Sequence, residues 1–279
     1  MYHAHFRGTH YEAGFRWGSL LLKHKNIILE NIPFEITQER IDYALCCLPI
    51  YEKYYHEIVE EIQGLADGQQ CDVRILQAVL FSMYSMPPSC NCSCFAFTTE
   101  QEILLGRNSD FLTEIERLNQ NVVYKLTDGV YSFTGNTTAF IEIEDGVNEH
   151  GLAVGLTSVY SNQCKPGFNA GMIVRYLLEK CRNVSEAVSC LYQLPIASAQ
   201  TLTLADTMGA IAVIECNAEQ IKVEKTLDSN QAKDCRNDRK YSYNSRLRPS
   251  AQLKVMMDRS HLKESLSACL LKICYLQNY

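Results

Sequence analysis

Apolar positions along the first 85 residues recur at helical spacing. Ile58, Val59, Ile62 and Leu65 fall on one face of a helix within Tyr51 to Leu65, and Asp72 stands where an N-cap would start a helix over Val73 to Leu80. Met86-Pro87-Pro88-Ser89 then ends the helical region, because proline lacks an amide hydrogen and disfavours α conformation in the residue before it. Upstream, Phe6 to Gly18 is punctuated by glycines and opens onto an apolar helical run. No strand pattern precedes it, so the spacing predicts close packing rather than a phosphate loop. Beyond residue 90 the pattern changes to short runs separated by turns. These predict strands over 122–126, 130–134, 139–143 and 152–159, helices over 171–180 and 184–194, and strands again over 201–205, 210–215 and 220–224. Residues 226–250 are polar and read as surface loop. The order helices, sheet, helices, sheet, with hairpin-type strands, argues for a layered α+β fold rather than a parallel nucleotide-binding sheet.

The most informative stretch is Cys90-Asn91-Cys92-Ser93-Cys94-Phe95-Ala96-Phe97, followed by Gly106-Arg107-Asn108-Ser109-Asp110-Phe111. Residues 93–98 alternate as a half-buried strand does, Ile103-Leu104-Leu105 is a second apolar run, and polar residues 99–102 turn between them. Antiparallel pairing of this hairpin puts Cys92 opposite Ser109 and Asp110, and Cys94 opposite Arg107. A thiol, a guanidinium and a carboxylate then share one end of the hairpin. A nearby cation favours the thiolate, and a carboxylate can orient a proton-carrying group, which is what a cysteine nucleophile needs. Other readings of the same residues stay open. Cys90, Cys92 and Cys94 could supply a structural zinc cluster or be buried small hydrophobes, although no second ligand pair at zinc spacing follows. Arg107 and Asp110 could form a surface ion pair worth under about 1 kcal/mol. Asn148 and His150 could be turn residues before Gly151.

Composition narrows the class. The chain has 279 residues, is 47% hydrophobic and carries a net charge of −6. That allows one large or two small globular units with an ample core. It has no basic run for nucleic acid and no apolar segment of membrane-spanning length. The start lacks the apolar core of a signal peptide and the cysteine count, 13, is odd, so mostly reduced thiols in the cytoplasm are expected.

Several separated stretches together resemble one family. Gly8-Thr9-His10-Tyr11-Glu12-Ala13-Gly14 with Gly18 looks like its opening motif, Cys92-Ser93-Cys94-Phe95-Ala96 like its nucleophile strand, and Gly106 to Phe111 like its Gly-Arg-Asn-x-Asp-Phe/Trp element. Asn148-Glu149-His150-Gly151-Leu152 looks like its Asn-Glu-x-Gly-Leu strand, and Arg175 to Ala187 and Leu204 to Glu215 like its later helices and strands. Over about residues 6 to 224 the chain resembles the penicillin acyltransferase-like N-terminal nucleophile hydrolases, relatives of choloylglycine hydrolases and acid ceramidases.

The resemblance implies a four-layer αββα sandwich, with residues 1–91 a helical leader packed on the core and residues 92–279 the catalytic core. It implies self-cleavage before Cys92, whose freed α-amine acts as the base. Asp110 would hold that amine, Arg107 would lie beside the thiolate, and Asn148, with Asn230 as the nearest match to a second family asparagine, would stabilise the oxyanion. The implied activity is a cysteine-dependent amidohydrolase or acyltransferase acting on a linear amide. Its substrate would be a small amide or acyl-CoA-type molecule, with no cofactor, metal, nucleic acid or membrane, and with homo-oligomerisation left open. A ligand-binding protein of the same fold and a zinc-cysteine protein are the alternatives. The sequence departs from the family at Asn91, where the penicillin enzyme has glycine, and beyond Glu224, where the likeness fades.

Overall fold

The computed structural model describes residues 2–86, 91–99, 102–110, 118–159, 164–226 and 272–275. Strand β1 (Tyr2–Gly8) leads into helices α1 (His10–Lys23), α2 (Gln38–Tyr54), α3 (His56–Gln69) and α4 (Val73–Ser82). The hairpin β2 (Asn91–Thr98) and β3 (Ile103–Asp110) follows, then β4 (Gln120–Leu126), β5 (Phe133–Thr137), β6 (Asp145–Asn148) and β7 (Ala153–Ser158). Helices α5 (Ala170–Lys180) and α6 (Val184–Leu191) precede β8 (Gln200–Ala205), β9 (Ile211–Cys216), β10 (Ile221–Thr226) and β11 (Lys272–Tyr275).

The strands form two sheets. The larger runs β1-β4-β5-β6-β7-β8-β9-β10 and the smaller runs β11-β3-β2. All neighbouring pairs in the larger sheet are antiparallel except β1 with β4, and β11 runs parallel to β3. The pleat assigns the faces of the larger sheet. A Cβ on Gly146 of β6 would strike Leu178 of α5, whereas one on Gly155 of β7 would meet the Cys94 sulfur at 2.7 Å. Helices therefore cover one face of the larger sheet and the hairpin covers the other. The intersheet core holds Ile103, Ala205, Ile211 and Ala96, and the main core lies on the helical side. The described residues make three layers, helices on sheet on sheet. The outer helical layer expected beyond the smaller sheet is not among them.

Every α-helix except α3 starts where a polar side chain satisfies free amides. Thr9 and Glu12 form a capping box on α1, Asp72 caps α4, Asn169 caps α5 and Asn183 caps α6. The glycines near the start pack closely, as the spacing predicted. Gly14 and Gly18 of α1 interlock with Gly64 and Gly68 of α3, and a Cβ on Gly18 would lie 2.5 Å from the Leu65 carbonyl oxygen. Several elements differ from expectation: β5 runs over Phe133–Thr137 rather than 130–134, and β6 and β11 are not among the expected strands. A strand, β1, does precede α1; its short run Tyr2–Gly8 is held by pairing with β4, a long-range contact that local pattern does not reveal. Residues 139–143 are not a strand: Phe140 has φ 60°, and Ile141 and Ile143 are buried, so the apolar run fills the core as a loop, with the Ile143 amide bonded to Gly171 at the start of α5.

A buried ionic cluster fastens α1 and α3 to α5. Arg175 is fully buried, donates to Glu61 and Glu179, and lies over the Tyr124 ring at 4.2 Å. His10 bridges Asp128 at 2.7 Å and Glu179 at 3.0 Å, and Tyr55 also donates to Glu179. Burial alone would push the His10 pKa down, but the Glu179 charge and hydrogen bond outweigh it and raise it to about 9. Burial also opposes charge on Glu179, yet Arg175 and His10 bring its pKa down to about 2.

Candidate functional site

The hairpin pairs as expected: Asn91 with Asp110, Cys92 with Ser109 and Cys94 with Arg107. Cys92, Cys94 and Arg107 share the face turned to the larger sheet, and the Arg107 side chain slants along the strand to reach the neighbouring cysteine. Arg107 Nη2 donates to Cys92 Sγ at 3.3 Å. Its Nε donates to the Leu156 carbonyl at 2.7 Å, and Nη1 donates to Glu144 at 2.9 Å and approaches Asp145 at 3.5 Å. The guanidinium fork is thus held at three places while one arm faces the thiol. Gly155 makes this possible, since any side chain there would occupy the space taken by Cys94 and come within 3.8 Å of Arg107 Cδ.

The surface ion-pair reading of Arg107 is overturned. Arg107 is 5% exposed, as is Glu144, and Asp145 is 0% exposed. Burial opposes charge on both sides, but the two carboxylates hold the guanidinium firmly protonated. Glu144 in turn stays below the ordinary glutamate range: burial pushes it up, and Arg107, the Thr138 amide and hydroxyl and the Tyr84 hydroxyl together outweigh that. Its Oε1 accepts from Thr138 N at 3.1 Å, Thr138 Oγ1 at 2.6 Å and Tyr84 at 3.1 Å, and its Oε2 accepts from Arg107 and, at 3.4 Å, from Ser109. Asn136 donates to the other oxygen of Asp145 at 3.0 Å. Glu144, Asp145, Thr138 and Tyr84 escaped the sequence reading. Glu144-Asp145 was visible as adjacent carboxylates, but only the crossing of β6 beneath the hairpin shows what they neutralise.

The two described cysteines of the cluster differ. Burial pushes the Cys94 thiol up to about 12, against weaker lowering by Thr203 and Arg107, so it is a neutral thiol between the sheets. Cys92 is half-buried, beside the guanidinium. Cys90 lies outside the described residues. Among the described residues no group of three or more His, Cys, Asp or Glu could hold a metal ion.

Asp110 ends β3 opposite Asn91, so its backbone stands next to the proposed cleavage point; its carboxylate lies outside the described atoms. Asn148 is not brought to Cys92. It sits on β6 one pleat away from Asp145 and Val147, on the helical side of the sheet, where its amide donates to Leu178 O at 2.9 Å and Cys181 O at 2.7 Å. Its oxygen accepts from the His150 and Leu152 amides, closing the turn before Gly151. The oxyanion role read from the resemblance is therefore corrected to a turn and helix-end role, because both ends of the amide are already engaged on the wrong face. Asn230 lies outside the described residues.

Two face-to-face sheets with helices behind one of them, and a cysteine–arginine pair carried between the sheets on a hairpin, define a mixed α and β protein whose site lies at the sheet interface. Residues 97–260, more than half of the chain, match the acyl-coenzyme A:6-aminopenicillanic acid acyl-transferase family, and the chain belongs to that family. No curated protein matches. Among solved structures, similarity extends to a penicillin V acylase from Agrobacterium tumefaciens at 24% identity and TM-score 0.30, over 34% of this chain and 33% of that one. A Caenorhabditis elegans N-acylethanolamine-hydrolyzing acid amidase ortholog matches at 20% identity and TM-score 0.40, over 48% and 63%. A conjugated bile acid hydrolase variant from Clostridium perfringens matches at 20% and 0.28, over 34% and 36%. The matched part is thus about a third of the length of two of these proteins. No helix among the described residues is long and apolar enough to cross a membrane.

Proposed function

We propose that the protein is a cysteine-dependent amidohydrolase or acyltransferase that attacks a linear carbon–nitrogen amide through an acyl-enzyme on Cys92. The observation that carries this is the 3.3 Å contact between Arg107 Nη2 and Cys92 Sγ, made by a buried guanidinium whose other two nitrogens are already engaged. A cation so placed favours the thiolate, the form that attacks a carbonyl. Family membership supports acyl transfer or hydrolysis as the reaction class.

In this reading the chain is cut between Asn91 and Cys92, dividing leader 1–91 from core 92–279. The freed α-amine, with an ordinary pKa near 8, takes the thiol proton, and Asp110, paired with Asn91, orients that amine. The thiolate adds to the substrate carbonyl, the amine leaving group departs with the proton, and water or a second amine or thiol takes the acyl group. The substrate is a small amide or an acyl-CoA-type donor. The cytoplasm remains the proposed location.

Intact mass and N-terminal sequencing test the maturation step: fragments in the ratio 91 to 188 residues, or about 10 and 21 kDa of the 31.7 kDa chain, are expected, with Cys92→Ala remaining whole. A panel of acyl amides and acyl-CoA donors tests turnover. A wild-type chain that stays whole yet hydrolyses amides would refute the α-amine as base. Turnover surviving in Cys92→Ala would refute the nucleophile.

A further inference from the structure

The leader reaches into the site at Tyr84. Tyr84 lies just beyond α4, eight positions before Cys92, and its hydroxyl donates to Glu144 Oε1 at 3.1 Å. The segment is held from three sides. Arg40 of α2 donates to Ser82 Oγ at 2.7 Å and to the Met86 carbonyl at 3.0 Å, and Ser198 donates to the Tyr84 carbonyl at 3.1 Å. Gly171 at the start of α5 leaves room for the ring, since a Cβ there would lie 2.9 Å from Tyr84 Cε2. The charged or ionisable groups around the phenol are Glu144, Glu142, Arg107 and Cys92. Burial first, then the two glutamates, push the phenol well above its ordinary range, so it is a donor and not a phenolate.

Glu144 divides its two oxygens. Oε2 faces Arg107, and Oε1 faces Tyr84 and Thr138. Each donor on Oε1 draws negative charge away from Oε2, so the guanidinium is less completely neutralised and more of its field reaches the sulfur 3.3 Å from its other arm. We propose that Tyr84 is a positioning residue that keeps the Arg107–Cys92 pair reactive by holding Glu144, so that the mature site is assembled from both sides of the 91/92 junction. A cut at that junction leaves Tyr84 in place, because its anchors at Arg40, Ser198 and α5 do not cross the junction region. The leader is then a working part of the enzyme after maturation.

This rests on Cys92 as the nucleophile, and its test is independent of turnover. Full-length Tyr84→Phe and wild type are alkylated with iodoacetamide between pH 5.5 and 9.5, and modification of Cys92 is read by peptide mass. The expected result is a three- to tenfold slower labelling near pH 7 with the alkaline plateau within about twofold of wild type, the size of one ordinary lost hydrogen bond, since Tyr84 acts on the sulfur only through Glu144 and Arg107. Thr138→Val, which removes a donor to the same oxygen without touching the leader, should shift the profile in the same direction. A Tyr84→Phe profile that superimposes on wild type, a uniform slowing at every pH, or an unchanged profile in Thr138→Val would overturn the proposal. Loss of the nucleophile reading would appear elsewhere, as turnover in Cys92→Ala.

Discussion

Replacing Arg107 by alanine tests whether the centre of the site is a structural necessity as well as a chemical one. The guanidinium is almost fully buried, with Glu144 at 2.9 Å and Asp145 at 3.5 Å, and both carboxylates are themselves buried. At 2.9 Å and an effective dielectric near 20, opposite unit charges attract by roughly 6 kcal/mol. Desolvation offsets much of that in the intact pair, but truncating one partner leaves the other charge stranded. The expected loss is therefore about 3–5 kcal/mol, far above the value for an exposed pair. The loss depends on pH with a definite sign. In the wild type Glu144 sits below its ordinary range, so its contribution is present above the unfolded carboxylate pKa and fades only as pH falls through the lower folded value. Without Arg107, burial dominates and the folded pKa rises above the unfolded one, so the variant is penalised increasingly as pH climbs. Urea unfolding at pH 7.5 and pH 5.0 should show the deficit shrinking on acidification, by up to about 1.4 kcal/mol per pH unit. Arg107→Lys, which keeps the charge but not the fork, should lose about 1–2 kcal/mol and serves for labelling experiments in which the fold must survive. A deficit below about 1 kcal/mol, equal at both pH values, would show that the carboxylates do not depend on Arg107 and that the arrangement described is wrong.

Asn148→Ala should cost about 2–4 kcal/mol in chemical denaturation, from buried carbonyls of Leu178 and Cys181 left without a donor, while turnover of the folded fraction stays within about threefold; a hundredfold loss of turnover at unchanged stability would restore an oxyanion role. Gly18→Ala should cost about 1–3 kcal/mol, because α1 and α3 must separate to admit a methyl group against Leu65 O, and a Tm equal to wild type would refute the close approach. His10 carries a folded pKa of about 9 against an ordinary value near 6.5, so the stability it contributes is complete below about pH 6.5 and lost as pH rises through 9. Stability followed from pH 6.5 to 9.5 should fall in the wild type more than in His10→Gln, and parallel curves would refute the charged pairing with Glu179.

Much of this molecule is determined by local sequence. Asp72 announces a helix start because capping is a contact between residues two or three apart, and Thr9 with Glu12, Asn169 and Asn183 make the same local contact in the structure. The β2–β3 register follows from alternation on both sides of a short turn, and Gly14 and Gly18 declare a close helix contact through their spacing alone. Cys92, Arg107 and Asp110 could be named for the same reason: one hairpin carries all three. What tertiary structure decided is everything that depends on which face of the larger sheet a residue occupies. Asn148 and Asp145 are three residues apart on one strand, yet the pleat sends the first to the end of α5 and the second to Arg107. Ile141 and Ile143 alternate as a strand would and instead fill the core from a loop, since burial rewards apolar side chains whatever the backbone does. Tyr84 and Glu144 are 60 residues apart and meet only because the segment after α4 packs beside the start of β6, a long-range contact with no local pattern to announce it.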